Sequence, residues 1–430
     1  VTPATNHRPL NEKPKVSDYG GSVAKHCGLE TLDEIIGDHA PAADGEHLKE
    51  FCSQIFRHLS RVDQRRCAHA YLEALLATPG KKSIQRLART VSASPAAAQS
   101  LRQFVNASPW SWEPAMHELA AWAEGHGPVN AWSIGRAFLP KCGERSVGVH
   151  RHYDPFSNRT LNCQVGYGAF LNIGAAYIPV AWELSLPGPW NDSPKLRQRS
   201  RVPDTERYRP PWAHVLGLVD TLAVRRKPAP IVADLDDEQD VGLLVDGLTQ
   251  RGHTFVIAVP RNMPVTVDER LGTHRMRRAA TQLASLGGPL KTLALATRGG
   301  GRRLAHILSV PVHLQGTKSG AAPDRPYQLF TEMRADNRPG PVWLTNLPHQ
   351  GLPIAVNLAS HAAGPAVAVT AMAQWFGLLD FEGRSFPGWH HHMCLVSSAY
   401  AYRRLGRSSG QKLHVPTPCR ETTPAPCRIQ

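Results

Sequence analysis

The chain has 430 residues, of which 42% are hydrophobic and 20% charged. Those proportions predict a packed core and exclude a globally disordered chain, and the length predicts two domains or one elaborated α/β domain. Lys and Arg outnumber Asp and Glu by 49 to 35, a net charge of +14, which favours a polyanionic partner such as DNA or RNA.

In chain order, residues 1–28 are polar and rich in Pro and Gly, and are expected to form a loose arm. Residues 29–125 read as helical. Phe51, Ile55 and Leu59, then Cys67, Tyr71 and Leu75, recur at helical spacing. Ser94-Pro95 reads as a helix start. "SPWSWEP" marks a sharp turn, with Trp110 and Trp112 expected to staple two helices rather than stack on bases.

From residue 129 the period changes to two. "AWSIGRAF", "RSVGVHRHYD", "TLNCQVGYGAFLNIG" and "AAYIPVAWELSL" predict four consecutive strands. A basic loop follows, with Arg197, Arg199 and Arg201. Then come a helix at "PWAHVLGLVDTLAVRRK", a buried strand at "APIVADLD", a helix at "DVGLLVDGLTQRG" and a strand at "HTFVIAVP". A strand, helix and strand in that order require parallel pairing and a covering helix. Residues 262–350 read as an inserted β-rich subdomain, helical only at "RRAATQLASL". Residues 351–405 return to helix, and 406–430 are expected to be a disordered tail.

Eight cysteines are scattered and none forms a C-x-x-C pair, so neither a zinc framework nor a disulfide scaffold is expected. Cys67, Cys163 and Cys394 are read as buried thiols. No run of about 18 apolar residues suggests a membrane span, and the N-terminus lacks an apolar signal core. The expectation is therefore a soluble, cytoplasmic protein. "HHH" (390–392) cannot gather three ligands on one ion, because successive helical residues point in different directions. His390 and His391 are instead expected to touch backbone or phosphate. "TRGGGRR" (297–303) lacks the frame of a phosphate-binding loop; with Arg302 and Arg303 it reads as a basic hairpin tip.

Several words occur together in order: "RVDQRRCAHAYLEALL", "LRQFVNASPWSWEP", "SVGVHRHYD", "NCQVGYGAFL", "WELSLPGPWNDSPKLRQRSRVP", "IVADLD" and "GLLDFEGRSFPGWHHHMCLVSSAYAY". Over roughly residues 50–403 the chain resembles the bacterial DDE-type insertion-sequence transposases with a Y-x2-R-x3-E-x6-K signature. The resemblance implies an RNase H-like α/β domain (126–261 and 351–405) with a β-rich insertion, preceded by the helical segment. It also implies two divalent ions, Mg2+ or Mn2+, held by Asp, Asp and Glu for in-line phosphoryl transfer on DNA.

Aligned on the family's words, the first acid falls on Gly135, followed by Arg136. The second is retained as Asp234. The third falls on Ala366, and the flanking Arg and Lys of the signature on Ala362 and Ala373. Asp154 and Glu183 are the candidate replacement acids. The expected function is a transposase homologue that binds double-stranded DNA at transposon ends or descended sites, deficient in strand cleavage. Mg2+ or Mn2+ would be the cofactor only if catalysis survives, and a homodimer is the candidate assembly. Arg197, Arg199, Arg201, Arg302, Arg303, Arg384, His390 and His391 are the expected DNA contacts. The alternatives are a repurposed DNA-binding regulator, or the same fold reused on a small molecule.

Overall fold

In the computed structural model, which describes residues 45–154, 159–235, 240–268, 275–284, 289–296, 301–314, 326–336 and 338–406, the period-two run becomes the centre of a ten-stranded sheet. Strand β1 (Val129–Pro140) pairs antiparallel with β3 (Arg159–Ile173) along nearly its whole length. The other edge of β3 takes both β2 (His150–Asp154) and β4 (Ala176–Leu184). On its far side β1 pairs in parallel with β5 (Ile231–Asp234), and β5 with β6 (Phe255–Val259). The order β4-β3-β1-β5-β6, antiparallel then parallel, is consistent with an RNase H-like nuclease sheet.

Two helices join the parallel part: α8 (Pro211–Ala223) precedes β5, and α9 (Val241–Gln250) connects β5 to β6. Alternation along each strand decides what each face buries. On one face Gly166 lies against Trp389 and Gly135 against Pro365; on the other, Gly217 of α8 lies against Glu183. The first face therefore receives α11 (Gly364–Trp375) and α12 (Phe386–Leu405). Helix α10 (Leu352–Ala359) joins the same face through Leu352, Ala355 and Val356, which pack with Ala131, Val232 and Val256.

Within residues 262–350, expected to be an inserted β-rich subdomain, most strands join the main sheet. Strands β9 (Leu290–Ala296), β10 (Arg302–Val312), β11 (Tyr327–Met333) and β12 (Pro339–Thr345) extend the main sheet, because β12 pairs antiparallel with β6. Only β7 (Pro264–Asp268) and β8 (Arg275–Ala279) form a ribbon of their own. The helix expected at "RRAATQLASL" is a strand followed by a short 3-10 turn at Ala280–Ala284.

Before the sheet run α1 (Gly45–Ile55), α2 (Val62–Ala77), α3 (Ile84–Val91), α4 (Ala97–Asn106) and α5 (Glu113–Glu124). Helix α2 buries Ala68, Tyr71, Leu72 and Leu75, one stripe at helical spacing. Helix α4 starts at Ala97, not at Pro95. These helices share one hydrophobic core with β1, β3, β4 and α12. The shortest helices, α6 (Pro189–Asp192) and α7 (Pro194–Arg199), lie within the basic loop.

Against the expectation of no membrane-length segment, His349–Trp375 is long and apolar enough to cross a bilayer by length and composition. Here it is broken at Ser360–Ala363 into α10 and α11, both laid on the sheet. Cys163 and Cys394 are buried thiols, while Cys67 is half-buried. The loose arm, the tail beyond residue 406, residues 297–300 of "TRGGGRR", Cys27, Cys419 and Cys427 lie outside the described residues.

Candidate functional site

The acid positions are built from three elements. Parallel pairing of β1 with β5 matches Ser133 to Val232 and Ile134 to Ala233, so the next step sets Gly135 beside Asp234. Both belong to the face that carries α10, α11 and α12. Asp234 is exposed at the end of its strand. Helix α11 begins directly over Gly135. A Cβ at position 135 would overlap Pro365 Cβ and lie 3.1 Å from its Cγ. One residue earlier, a Cβ on Gly364 would overlap the Tyr177 ring. The two glycines let helix and sheet approach closely, and Pro365 fills the space a side chain at 135 would need.

Ala366 follows Pro365 and brings only a methyl group to this region. Arg136 belongs to the opposite face by alternation, with its guanidinium carbon 5.7 Å from the centre of the Phe138 ring. Asp236 and Asp237 lie outside the described residues. Among the described residues, no group of three or more His, Cys, Asp or Glu side chains is arranged to hold a metal ion. Among the described residues, one carboxylate beside a glycine and an alanine does not match the oxygen-rich shell that two hard divalent ions require.

Glu183 does not reach Asp234. Glu183 of β4 pairs across the strands with Tyr167, which pairs in turn with Arg136. That row lies on the face opposite Gly135 and Asp234. There Glu183 accepts from His214 Nδ1 at 2.6 Å and faces Arg209 Nη2 at 3.2 Å. The His214 ring stacks on Tyr167, with centroids 4.5 Å apart. Asp154 ends β2, which pairs with β3 and not with β1. Its backbone is therefore separated from β1 by a whole strand.

A family model described as DDE superfamily endonuclease matches residues 54–282. The chain belongs to this family. No curated protein gives a significant match. The matched stretch holds helices α2 to α5, the sheet core from β1 to β6, and Asp234.

The cations of this DDE-superfamily chain divide into two groups. Four of the expected DNA contacts are engaged in structure. Arg197 is buried and donates to the carbonyls of Trp190, Pro203 and Glu206. Its role is to clamp the loop around α7, which corrects the expected phosphate contact. His390 and His391 are 5% and 1% exposed. His390 stacks on Trp112 at 4.3 Å and His391 on Trp110 at 3.9 Å. His391 also bonds the carbonyls of Val105 and Trp110. Burial lowers the pKa values of His390 and His392 to about 3, so the three histidines are neutral core residues and not phosphate contacts. Trp110 and Trp112 pack in that core as expected. Arg303 forms a two-pronged pair with Glu332.

The second group faces solvent. Arg302 is exposed at the start of β10. Arg199, Arg201 and Arg384 come together at one cavity of about 580 Å³. The same cavity is lined by the exposed Arg102 and Arg145, and by Lys82, which is buried and donates to the Thr78 carbonyl; sequence reasoning missed all three. They are isolated cations in three separate segments, and only the packing of α12 against α2 and α4 gathers them.

Proposed function

We propose that this chain is a DDE-type transposase homologue of the Y-x2-R-x3-E-x6-K group that binds double-stranded DNA and is deficient in cutting it. The observation that carries the reading is the contact between Gly135 and Pro365. Loss of an acid by substitution alone would leave an open cleft that a neighbouring carboxylate could refill. Here the start of α11 occupies the space instead. Asp234 remains as the single acid of three, and Ala366 and Ala362 replace the acid and cation of the signature helix. The net charge of +14 and the family membership support DNA as the partner. The helical segment before the sheet would supply sequence-specific contacts.

The test is a strand-nicking assay on supercoiled DNA carrying the chain's genomic flanks, with Mg2+ or Mn2+, for the wild type and Asp234→Ala. The expected result is no metal-dependent nicking by either protein, with duplex binding retained. Nicking by the wild type that disappears in Asp234→Ala would overturn the reading.

A further inference from the structure

The cavity where the unexpected cations meet is formed by six segments: α2 at Tyr71, the turn before α3, the C-terminal half of α4, the loop between β1 and β2, the end of α7, and α12 with its approach. None of Gly135, Asp234 and Ala366 lines it. Lys82, Arg102, Arg145, Arg199, Arg201 and Arg384 surround it, against two acids, Asp380 and Glu382. Asp380 is already committed, since its Oδ2 accepts the Lys82 backbone N–H at 2.7 Å. Arg102, Arg145, Arg199 and Arg384 are exposed and have no carboxylate partner among the described residues. Six cations against two acids leave this concavity with an excess of positive charge, which an anion would offset.

The floor of the cavity is held by an unusual backbone. Arg201 is the one non-glycine residue with positive φ among the described residues, at 54°. That conformation is unfavourable for a side-chain-bearing residue. It places the Arg201 guanidinium where it donates to the Asn106 carbonyl at the end of α4 and, at 2.9 Å, to Ser385 Oγ. Ser385 in turn caps α12. One strained residue thus ties three of the six segments.

A second cavity of about 660 Å³ adjoins this one and shares Arg145, Asp380, Phe381, Glu382 and Arg384. The concavity is therefore an open groove and not a socket. A groove edged by successive guanidinium groups suits an extended chain of phosphates better than a single small anion. Resting on the DNA-binding reading above, we propose that this groove is the track for the phosphodiester backbone of a DNA duplex, separate from the acid positions. Contacts to phosphate position a duplex without reading its sequence, so the groove should contribute affinity and salt dependence but no sequence preference.

The experiment measures binding of a fluorescent duplex by anisotropy across a salt series. It compares the full chain, the double variant Arg102→Gln/Arg145→Gln, and, as a control, Arg338→Gln, an exposed cation beside β12 that lies outside the groove. Circular dichroism and urea midpoints confirm folding of each variant. The double variant should weaken binding several-fold for every sequence alike and flatten the log–log salt slope by about two, one for each phosphate that is no longer neutralised. The control should keep the wild-type affinity and slope. Unchanged affinity and slope in the double variant would overturn the groove while leaving DNA binding intact. No binding by the wild type would overturn both readings. A parallel thermal-shift series uses inorganic phosphate. Stabilisation by phosphate that the double variant loses, with duplex binding unaffected, would assign the groove to a small anion and likewise overturn the proposal.

Discussion

Gly135 is where a single missing Cβ has the largest consequence. Alanine there would overlap Pro365 and force α11 away from β1. Overpacking of this kind costs about 1–3 kcal/mol, so Gly135→Ala should lower the urea midpoint by a matching amount. An unchanged midpoint would mean that α11 is free to lift. The buried histidines give a second prediction at this scale. His390 and His392 have folded-state pKa values of about 3, below the ordinary 6.5, through burial. Below pH 6.5 the unfolded chain takes up protons that the folded chain refuses, so stability should fall as pH drops from 6.5 towards 3. Each group would contribute on the order of several kcal/mol across that window. His390→Phe keeps the stacking on Trp112 and should flatten the acid limb of a stability–pH curve. An identical limb would show that His390 does not titrate there. Neither feature is legible in the sequence: Gly135 reads as a lost acid but not as a filled space, and "HHH" looks like a surface motif.

Among the elements, the strands from 129 to 184 and the strand–helix–strand run to 259 were legible, because alternation and short turns are local signals. The pairing of β12 with β6 was not. It joins Thr345 to Val256, and no local pattern says which edge a distant strand will choose. Helix α12 was legible as a helix but not as a buried one. It is enclosed on nearly all sides, so the polar–apolar stripe that marks a surface helix is missing. The loop around α7 shows how a basic segment can mislead. Arg197 holds three backbone carbonyls, whereas Arg199 two residues on is exposed. Arg197→Met should cost roughly 2–4 kcal/mol by leaving those carbonyls unpaired, read as a lower midpoint in urea. Arg199→Met should leave the midpoint unchanged. Equal effects of the two substitutions would contradict the clamp.

For the whole molecule, one core runs from the leading helices through the sheet to α12. The acid positions and the basic groove lie on parts of this single body, so one can be lost without dissolving the other. On the proposed reading, a retained DDE frame with a filled acid position is physically coherent: the fold needs α11 packed on β1, and the proposed DNA contact needs the cations. The most direct test of that closure is a calorimetric Mn2+ titration of the wild type and Asp234→Asn in the absence of DNA. The account predicts no Mn2+ site that depends on Asp234, so the two proteins should give the same weak isotherm. Saturable binding of one or two Mn2+ ions by the wild type, lost in Asp234→Asn, would contradict it and show that other carboxylates complete the site.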